Sequence, residues 1–494
     1  MGDSTVLLVY ARGGPPPSDA IPKAAAATDR LHLLLLDPLP LPAVAPAARC
    51  CASVTDLTAD RPEPGELIDR IVALARRTAA DAVLTFSEFA LLAVAEAAER
   101  LGLRGPGPGA ARARSKRLMR RTWADAGLPV PRFRYVDSLT DLERAWAELH
   151  PPILLKSAWG AGSIGQTVLE QRAQLAGAWR HMLGALTAAR ARSMSELKAG
   201  EAGHELIAEE LIPATTESWY DRSGYGDYLS VEGMVVDGVY HPVCITGRLP
   251  TVPDFTELGN MAPCVLPEPL QHTVSELSRQ AVDALGLGTC GTHTEIKLMA
   301  DRRLCLLETA ARFGGLLLTQ QIEAIHGVDL VGALTRAHLG QDPGLPDGLL
   351  TGPGRCAAGS VNVLATDSRG RPWTTRPLFL PEAVDWDRLL SPGSGIRVAP
   401  DFTVPSGTVM HRYRTGHGSL NLAGVLLLTA PTPPGSAARF LRGPQRSRRS
   451  LGGRRPRSWL TGPGHTSRRA VVPPVLRAPG SRRPGARRRP RPAP

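Results

Sequence analysis

The chain has 494 residues, 43% of them hydrophobic and 21% charged, with a formal net charge of +12. Such a length suggests roughly three domains with substantial cores. The positive charge sits at one end. Residues 431–494 hold 17 of the 58 basic residues, all Arg, and no acid, so the first 430 residues carry 41 basic against 46 acidic side chains and are mildly acidic. The charge that would invite a nucleic-acid or membrane partner is therefore confined to the end of the sequence. The seven cysteines (Cys50, Cys51, Cys244, Cys264, Cys290, Cys305, Cys356) are scattered and never spaced CxxC, which excludes a disulfide framework and a zinc site as organising features. The first ten residues lack a basic leader, and no apolar run approaches the ~20 residues needed to span a bilayer, so a cytoplasmic location is expected.

Taken in chain order, Thr5–Tyr10 (TVLLVY) and Leu31–Leu36 (LHLLLL) are short apolar runs that read as strands. Glu66–Thr78 carries Leu67, Ile71 and Leu74 at helical spacing, and Ala82–Phe86 runs into a helical segment over Glu88–Arg100. This alternation predicts a small open parallel α/β domain over residues 1–115, with a Gly/Pro stretch at Gly105–Gly109 near its end. A basic helix from Ser115 ends at Gly127, and Pro129 and Pro131 force extended chain into a strand at Phe133–Val136. It opens a second domain, residues 116–343. Beyond the Pro/Gly-rich stretch Gly344–Gly354, alternating apolar residues and frequent turns predict a third, mostly β unit to residue 430. The Arg/Pro/Gly tail, 431–494, has too little apolar surface to offset ordering entropy, so disorder is expected, with nonspecific nucleic-acid contact as its only binding role.

Every motif with chemical content lies in the second domain. Ile153–Val168 (ILLKSAWGAGSIGQTV) is an apolar strand carrying Lys156, then a loop with Gly160, Gly162, Ser163 and Gly165, then apolar chain again. Such glycines let backbone N–H groups approach phosphate, Ser163 adds a hydroxyl, and Lys156 can neutralise phosphate charge. Alone this is an ordinary Gly-rich hairpin and not a Walker A motif; its weight comes from the acidic strands further along the chain. Leu206–Ile212 (LIAEELI) interrupts a strand with Glu209 and Glu210, as expected if the chain turns around a base and ribose at Leu211 and Ile212. Asp227, just before the strand Tyr228–Val236, is a candidate ribose contact.

The strongest local signal is Gly291–Leu298 (GTHTEIKL) followed by Arg303–Gly315 (RLCLLETAARFGG), two hairpin strands that each project one carboxylate, Glu295 and Glu308. Mg²⁺ prefers few protein oxygens together with phosphates and waters, so this pair suits it. Arg312, with Gly314 and Gly315 beyond it, puts a fixed cation and backbone donors beside the expected metal, an arrangement suited to a tetrahedral oxyanion. Alternation leaves His293 on the same strand face as Glu295, where packing or hydrogen bonding is expected of it.

In order and spacing, Lys116, Lys156 with its loop, the Glu209/Glu210 strand, Glu295, and Glu308 with Arg312 resemble the ATP-grasp superfamily over most of residues 1–425. Thr292–Met299 (THTEIKLM), Glu308–Gly315 (ETAARFGG), Leu345–Leu350 (LPDGLL) and Asn421–Gly424 (NLAG) are similar to the bacterial L-amino acid ligases that make dipeptides, alanine–anticapsin ligase among them, and to carnosine-synthase-like proteins. The resemblance implies an ATP-grasp fold between an N-terminal α/β domain and a small β unit. It implies an ADP-forming carboxylate–amine ligase acting through an acyl phosphate, with ATP and Mg²⁺ (or Mn²⁺) as cofactors, small carboxylate and amine substrates, and a homodimer as an allowed state. Lys116, Lys156, Gly162, Ser163, Gly165, Glu209, Glu210, Leu211, Ile212 and Asp227 would then bind ATP, Glu295 and Glu308 metal, and Arg312 and Gly315 the reacting centre. Glu257 and Asn260 would contact the amino-acid substrate, Asn260 standing where His is expected. Leu316 replaces a bulkier Trp of that branch, implying room for a larger amine. Ala310 takes the place of the Asn common two residues after the second metal carboxylate. The alternatives are another ATP-grasp ligase or carboxylase, and a nucleotide-binding regulatory protein that uses the tail for nucleic acid.

Overall fold

The computed structural model describes residues 3–60, 62–160, 162–190, 205–253, 255–367 and 369–431; the Arg-rich tail expected to be disordered lies outside them from residue 432. Four strands, β1 (Thr5–Tyr10), β2 (Arg30–Leu35), β3 (Ser53–Asp56) and β4 (Ala82–Leu84), form a parallel sheet in the order β3-β2-β1-β4. The apolar runs of β1, β2 and β4 follow from burial on both faces. Val6, Leu8, Leu33 and Leu84 face one core, while Leu7, Val9, Leu34 and Val83 face another, against helices α3 (Pro64–Thr78) and α4 (Leu91–Leu101). Two further helices, α1 (Pro17–Ala26) and α2 (Leu41–Cys50), complete this unit. The order of strand addition reverses between β1 and β4, which run parallel, so the loops after those strands meet at a topological switch point, where α/β sheets place their ligands.

Helices α5 (Gly109–Arg114) and α6 (Lys116–Asp125) lead out of this unit, and Ser115 caps α6 by accepting the Leu118 N–H. The indole of Trp123, fully buried, donates to the Ala281 carbonyl at 2.9 Å. Trp123→Ala should lower unfolding free energy by about 3–5 kcal/mol, the range for emptying an aromatic site in a packed core, as read by denaturant titration.

A second, antiparallel sheet holds β5 (Phe133–Val136), β6 (Ile153–Ser157), β7 (Thr167–Leu169) and β8 (Leu206–Glu210) in the order β5-β8-β6-β7, covered by α7 (Leu139–Glu148) and α8 (Leu175–Arg190). The third sheet has eight strands. They are β9 (Tyr228–Val236), β10 (Val239–Arg248), β11 (Gly259–Ala262), β12 (Cys290–Leu298), β13 (Leu304–Ala310), β14 (Ala357–Val363), β15 (Gly395–Val398) and β16 (Gly424–Ala430), in the order β13-β12-β9-β10-β11-β14-β16-β15. The region read from sequence as a third β unit therefore does not make its own sheet. Its strands extend the one begun at Tyr228 through pairing of β11 with β14, Asn260 opposite Ser360. Helices α9 (Glu268–Leu285) and α10 (Leu318–His326) pack on this sheet, α11 (Leu330–His338) packs against α1 and β4, and Ile322, Ile325, Leu330 and Val331 share one core with Val6, Leu8 and Leu33 of the parallel sheet. Among the described residues, no helix is long and apolar enough to cross a membrane.

Candidate active site

The carboxylates singled out in the sequence stand directly opposite each other: Glu295 of β12 pairs in register with Glu308 of β13. A bulge follows at once, since Ile296 pairs with Leu306 and leaves Leu307 as the extra residue. Such a bulge re-aims a side chain next to a functional site. Both carboxylates remain about a quarter exposed, at 23% and 25%. Burial pushes the Glu295 carboxyl up, but the hydrogen bond and charge of His293, with Arg248 and Lys116, win and hold it at about 2. It is therefore ionised at neutral pH, as a metal ligand must be. No group of three or more His, Cys, Asp or Glu among the described residues is arranged to hold a metal. The donor set, two carboxylate oxygen groups, fits a hard cation that completes its shell from phosphate and water.

Lys116 opens α6, is buried, and reaches across to Glu308 Oε2 at 3.0 Å and the Gly160 carbonyl at 2.7 Å. Lys156 on β6 lies 2.6 Å from Glu209 Oε2, and Glu209 Oε1 lies 2.7 Å from Arg120 Nε. All three side chains are buried. Burial draws the Lys156 ammonium below its ordinary value even with Glu209 opposing, whereas the two cations hold Glu209 below the usual carboxylate range against its own burial.

Glu209 and Glu210 do not act together, because alternation along β8 sends them to opposite faces. The Glu210 side chain accepts from Arg132 at 2.9 Å and from the His150 backbone at 3.0 Å, away from Lys156. Leu211 and Ile212 are half-buried where the chain leaves the second sheet. Asp227 is held by Lys297 at 2.6 Å, and Glu257 accepts from the Tyr228 hydroxyl at 2.5 Å. Asn260 accepts from the Gln321 side chain at 2.6 Å, within the sheet that carries the carboxylate pair.

The glycine-rich loop joins β6 to β7 as the hairpin expected, with Gly162, Ser163 and Gly165 at φ of 65°, 56° and 75°. It docks on the far end of the chain. Gly165 N–H donates to the Gly416 carbonyl at 2.7 Å and Ser419 N–H to the Gly162 carbonyl at 2.9 Å. Asn421 shapes the receiving turn, its side chain accepting from Arg414 N–H and donating to the Arg414 carbonyl, both at 2.9 Å.

Several charged residues of this region gave no signal in the sequence. Glu232 is buried on β9, in an apolar strand where an acid is the only clue; it lies 2.7 Å from His293 Nδ1 and accepts from the Ser230 hydroxyl at 2.6 Å. Burial lowers the His293 imidazolium's affinity for its proton, but Glu232 and then Glu295 raise it to about 9. Glu232 also takes the Gly314 N–H at 3.3 Å, whereas no partner is found for the Gly315 N–H among the described residues. Arg248, buried on β10, donates to Thr246 and Ser230 at 2.6 and 2.8 Å. Arg312 lies 2.5 Å from Glu88, which arrives from the parallel sheet.

Residues 36–106 match the ATP-grasp N-terminal domain. The L-amino acid ligase of Bacillus licheniformis superposes with a TM-score of 0.62 at 18% identity, covering 87% of this chain and 94% of that one. The fold is ATP-grasp. The biotin carboxylase domain of the Hydrogenobacter thermophilus 2-oxoglutarate carboxylase, in complex with MgADP, shares this ATP-grasp likeness at a TM-score of 0.58 and 17% identity over 87% of each chain. Over 293 residues the chain is 36% identical to alanine–anticapsin ligase of Bacillus subtilis, a match covering 59% of this chain and 61% of that relative, so less than two thirds of the relative's length is spanned.

Proposed function

We propose that the chain is an ADP-forming carboxylate–amine ligase that joins amino acids through an acyl phosphate. The observation that carries this reading is the Glu295–Glu308 pair, in register on adjacent strands, with Lys116 at 3.0 Å from Glu308. The identity to alanine–anticapsin ligase supports the amino-acid substrate class, and the MgADP of the Hydrogenobacter domain supports the nucleotide.

In this reading Lys116 and Lys156 neutralise phosphate charge, Gly162, Ser163 and Gly165 offer hydrogen-bond donors to phosphate oxygens, Leu211 and Ile212 border the base, and Asp227 meets the ribose. Glu210, tied to Arg132 and His150, shapes that border through its backbone. Glu295 and Glu308 would hold Mg²⁺, which when bound screens the triphosphate and polarises the transferring phosphoryl group. The substrate carboxylate attacks the γ-phosphorus, and ADP leaves. The amine then attacks the acyl carbon, Arg312 and the Gly315 N–H meet the oxyanion that develops, and phosphate departs with the acyl C–O bond while the amine gives up its proton to phosphate or solvent. Catalysis is positioning and electrostatics. Glu257 and Asn260 face the amino-acid substrate, and Leu316 borders the amine.

The test is phosphate release from Mg·ATP against paired amino acids, with mass spectrometry of products and Glu308→Gln as control. Dipeptide formed only by the unmodified chain is expected; Mg·ATP binding with no turnover on any pair would overturn the amino-acid reading. Leu316 sits at φ 59°, a left-handed conformation that fixes its side chain at the end of the Gly314–Gly315 turn. Leu316→Trp should shrink the range of amines accepted, and an unchanged range in the same matrix would remove Leu316 from the site. Gly418 has φ 47°, and a Cβ there would stand 2.0 Å from the Gly162 carbonyl oxygen. Gly418→Ala should therefore undock the glycine-rich loop and weaken equilibrium ATP binding by about 10-fold, equivalent to ~1.4 kcal/mol, as measured by calorimetry.

A further inference from the structure

The Arg312 guanidinium is useful only if it is held still, and what holds it comes from another part of the fold. Glu88 lies just beyond β4, at the switch point of the parallel sheet, and is 3% exposed. One carboxylate oxygen is 2.5 Å from Arg312 Nε; the other is 3.4 Å from Arg114 Nε, whose side chain is 1% exposed. Arg114 in turn lies over the Phe89 ring, 5.4 Å from its centroid.

The support behind Glu88 is rigid. Thr85 donates to the Val9 carbonyl at 2.7 Å, and Ser87 accepts the Ala11 N–H at 3.1 Å, which ties the loop after β4 to the end of β1. Gly13 and Gly14 then press against this loop. A Cβ on Gly14 would stand 2.0 Å from the Phe86 carbonyl oxygen, and one on Gly13 would stand 3.3 Å from Glu88 Cβ, so only glycine permits the approach. A carboxylate buried this deeply costs several kcal/mol unless it is paired. Burial raises its pKa, yet Arg312 first, then Arg114 and Lys116, bring it to about 2. It is therefore ionised at neutral pH.

Arg114 already places one cation beside Glu88. The second cation instead sits on the loop after β13, four residues from Glu308. Glu88 forms an ion pair at its Nε, and Arg312 Nη1 donates to the Phe313 carbonyl at 2.8 Å. Among the described residues Nη2 has no hydrogen-bond partner, which leaves that corner of the guanidinium for substrate. A guanidinium held by a buried carboxylate at Nε and a carbonyl at Nη1 is restrained in direction, which a solvated one is not.

We propose that Glu88 is the positioning residue for Arg312, set on the N-terminal parallel sheet and backed by Arg114, so that this sheet completes the reaction centre across the domain junction. The proposal rests on the role given to Arg312 above. It predicts that Glu88→Gln, which keeps shape and removes charge, lowers turnover by about 100-fold, the loss expected of a misplacement near 1 Å. Mg·ATP affinity should be unchanged.

The experiment uses the full chain, with hydroxylamine as a small amine that converts acyl phosphate to hydroxamate, each amino acid supplied singly as the acid. Arg312→Ala should lose hydroxamate formation and regain part of it when guanidinium ion is added. The double variant, Arg312→Ala with Glu88→Gln, should regain none, because the anchor for the added ion is gone. Equal rescue of both would overturn the proposal, as would Glu88→Gln turning over within twofold of the unmodified chain while Arg312→Ala is inactive. If Arg312→Ala is itself fully active, the role of Arg312 falls and this proposal with it. Should Glu88→Gln fail to fold, Glu88→Asp keeps the charge and shortens the reach: normal melting with about 10-fold less turnover supports positioning, and normal melting with full turnover overturns it.

Discussion

Glu308→Gln should reduce ligase turnover by about 10³-fold while the chain stays folded, because amide and carboxylate have the same shape but only the carboxylate holds a divalent cation against a triphosphate. The structure limits the collateral damage. Glu308 is a quarter exposed, and Lys116, its 3.0 Å partner, keeps the Gly160 carbonyl at 2.7 Å. Lys116 is buried, so removing the charge opposite it costs about 1–3 kcal/mol even with that carbonyl retained, and the melting temperature should fall by several degrees. Titration of Mg²⁺ separates the cases: a variant damaged at the metal needs more Mg²⁺ for half-maximal rate, whereas one damaged elsewhere does not. Glu295→Gln should behave the same way, since the two side chains are register partners. Full turnover in either variant would take the metal role away from the pair.

Arg312→Ala is expected to cost turnover about 10² to 10³-fold, the loss seen when a preorganised oxyanion partner is removed, with Mg·ATP binding preserved. Here stability must be measured beside rate. Removing one partner of a buried ion pair leaves an uncompensated charge, which costs about 3–5 kcal/mol when nothing else is near. Arg114 at 3.4 Å from Glu88 softens that penalty. Arg312→Lys is the companion: it keeps a cation beside Glu88 but loses the planar fork, so it should melt normally and still lose most of the rate. Recovery of full activity with Lys would mean that charge alone matters at this position.

The features legible in the sequence are those whose geometry is local. Lys156 followed by Gly162, Ser163 and Gly165 spells a hairpin loop with phosphate-binding character, and β6, the loop and β7 form that hairpin. Glu295 and Glu308 stand out because each interrupts an apolar strand, and their strands pair antiparallel. By contrast, Glu88, Arg114, Arg120, Glu232 and Arg248 look like ordinary surface charges in sequence. Each becomes informative only when a partner arrives from far along the chain: Arg120 meets Glu209, Glu232 meets His293, and Glu88 meets Arg312. Glu209 and Glu210 are neighbours in sequence, yet the period of two along a strand sends them to opposite faces and different partners.

What the sequence by itself determined is the set of elements, because periodicity and turn chemistry act over a few residues: alternating strand and helix up to Arg100, the glycine loop, and the two carboxylate strands. Only the tertiary structure decided that residues 357–430 join the sheet begun at Tyr228, that the glycine-rich loop docks on Gly416 and Ser419, and that the parallel sheet supplies the partner of Arg312. The reason is physical. Burying a charge is unfavourable until an opposite charge is brought to it, and which charge is brought depends on strand order and register, which packing of the whole core selects.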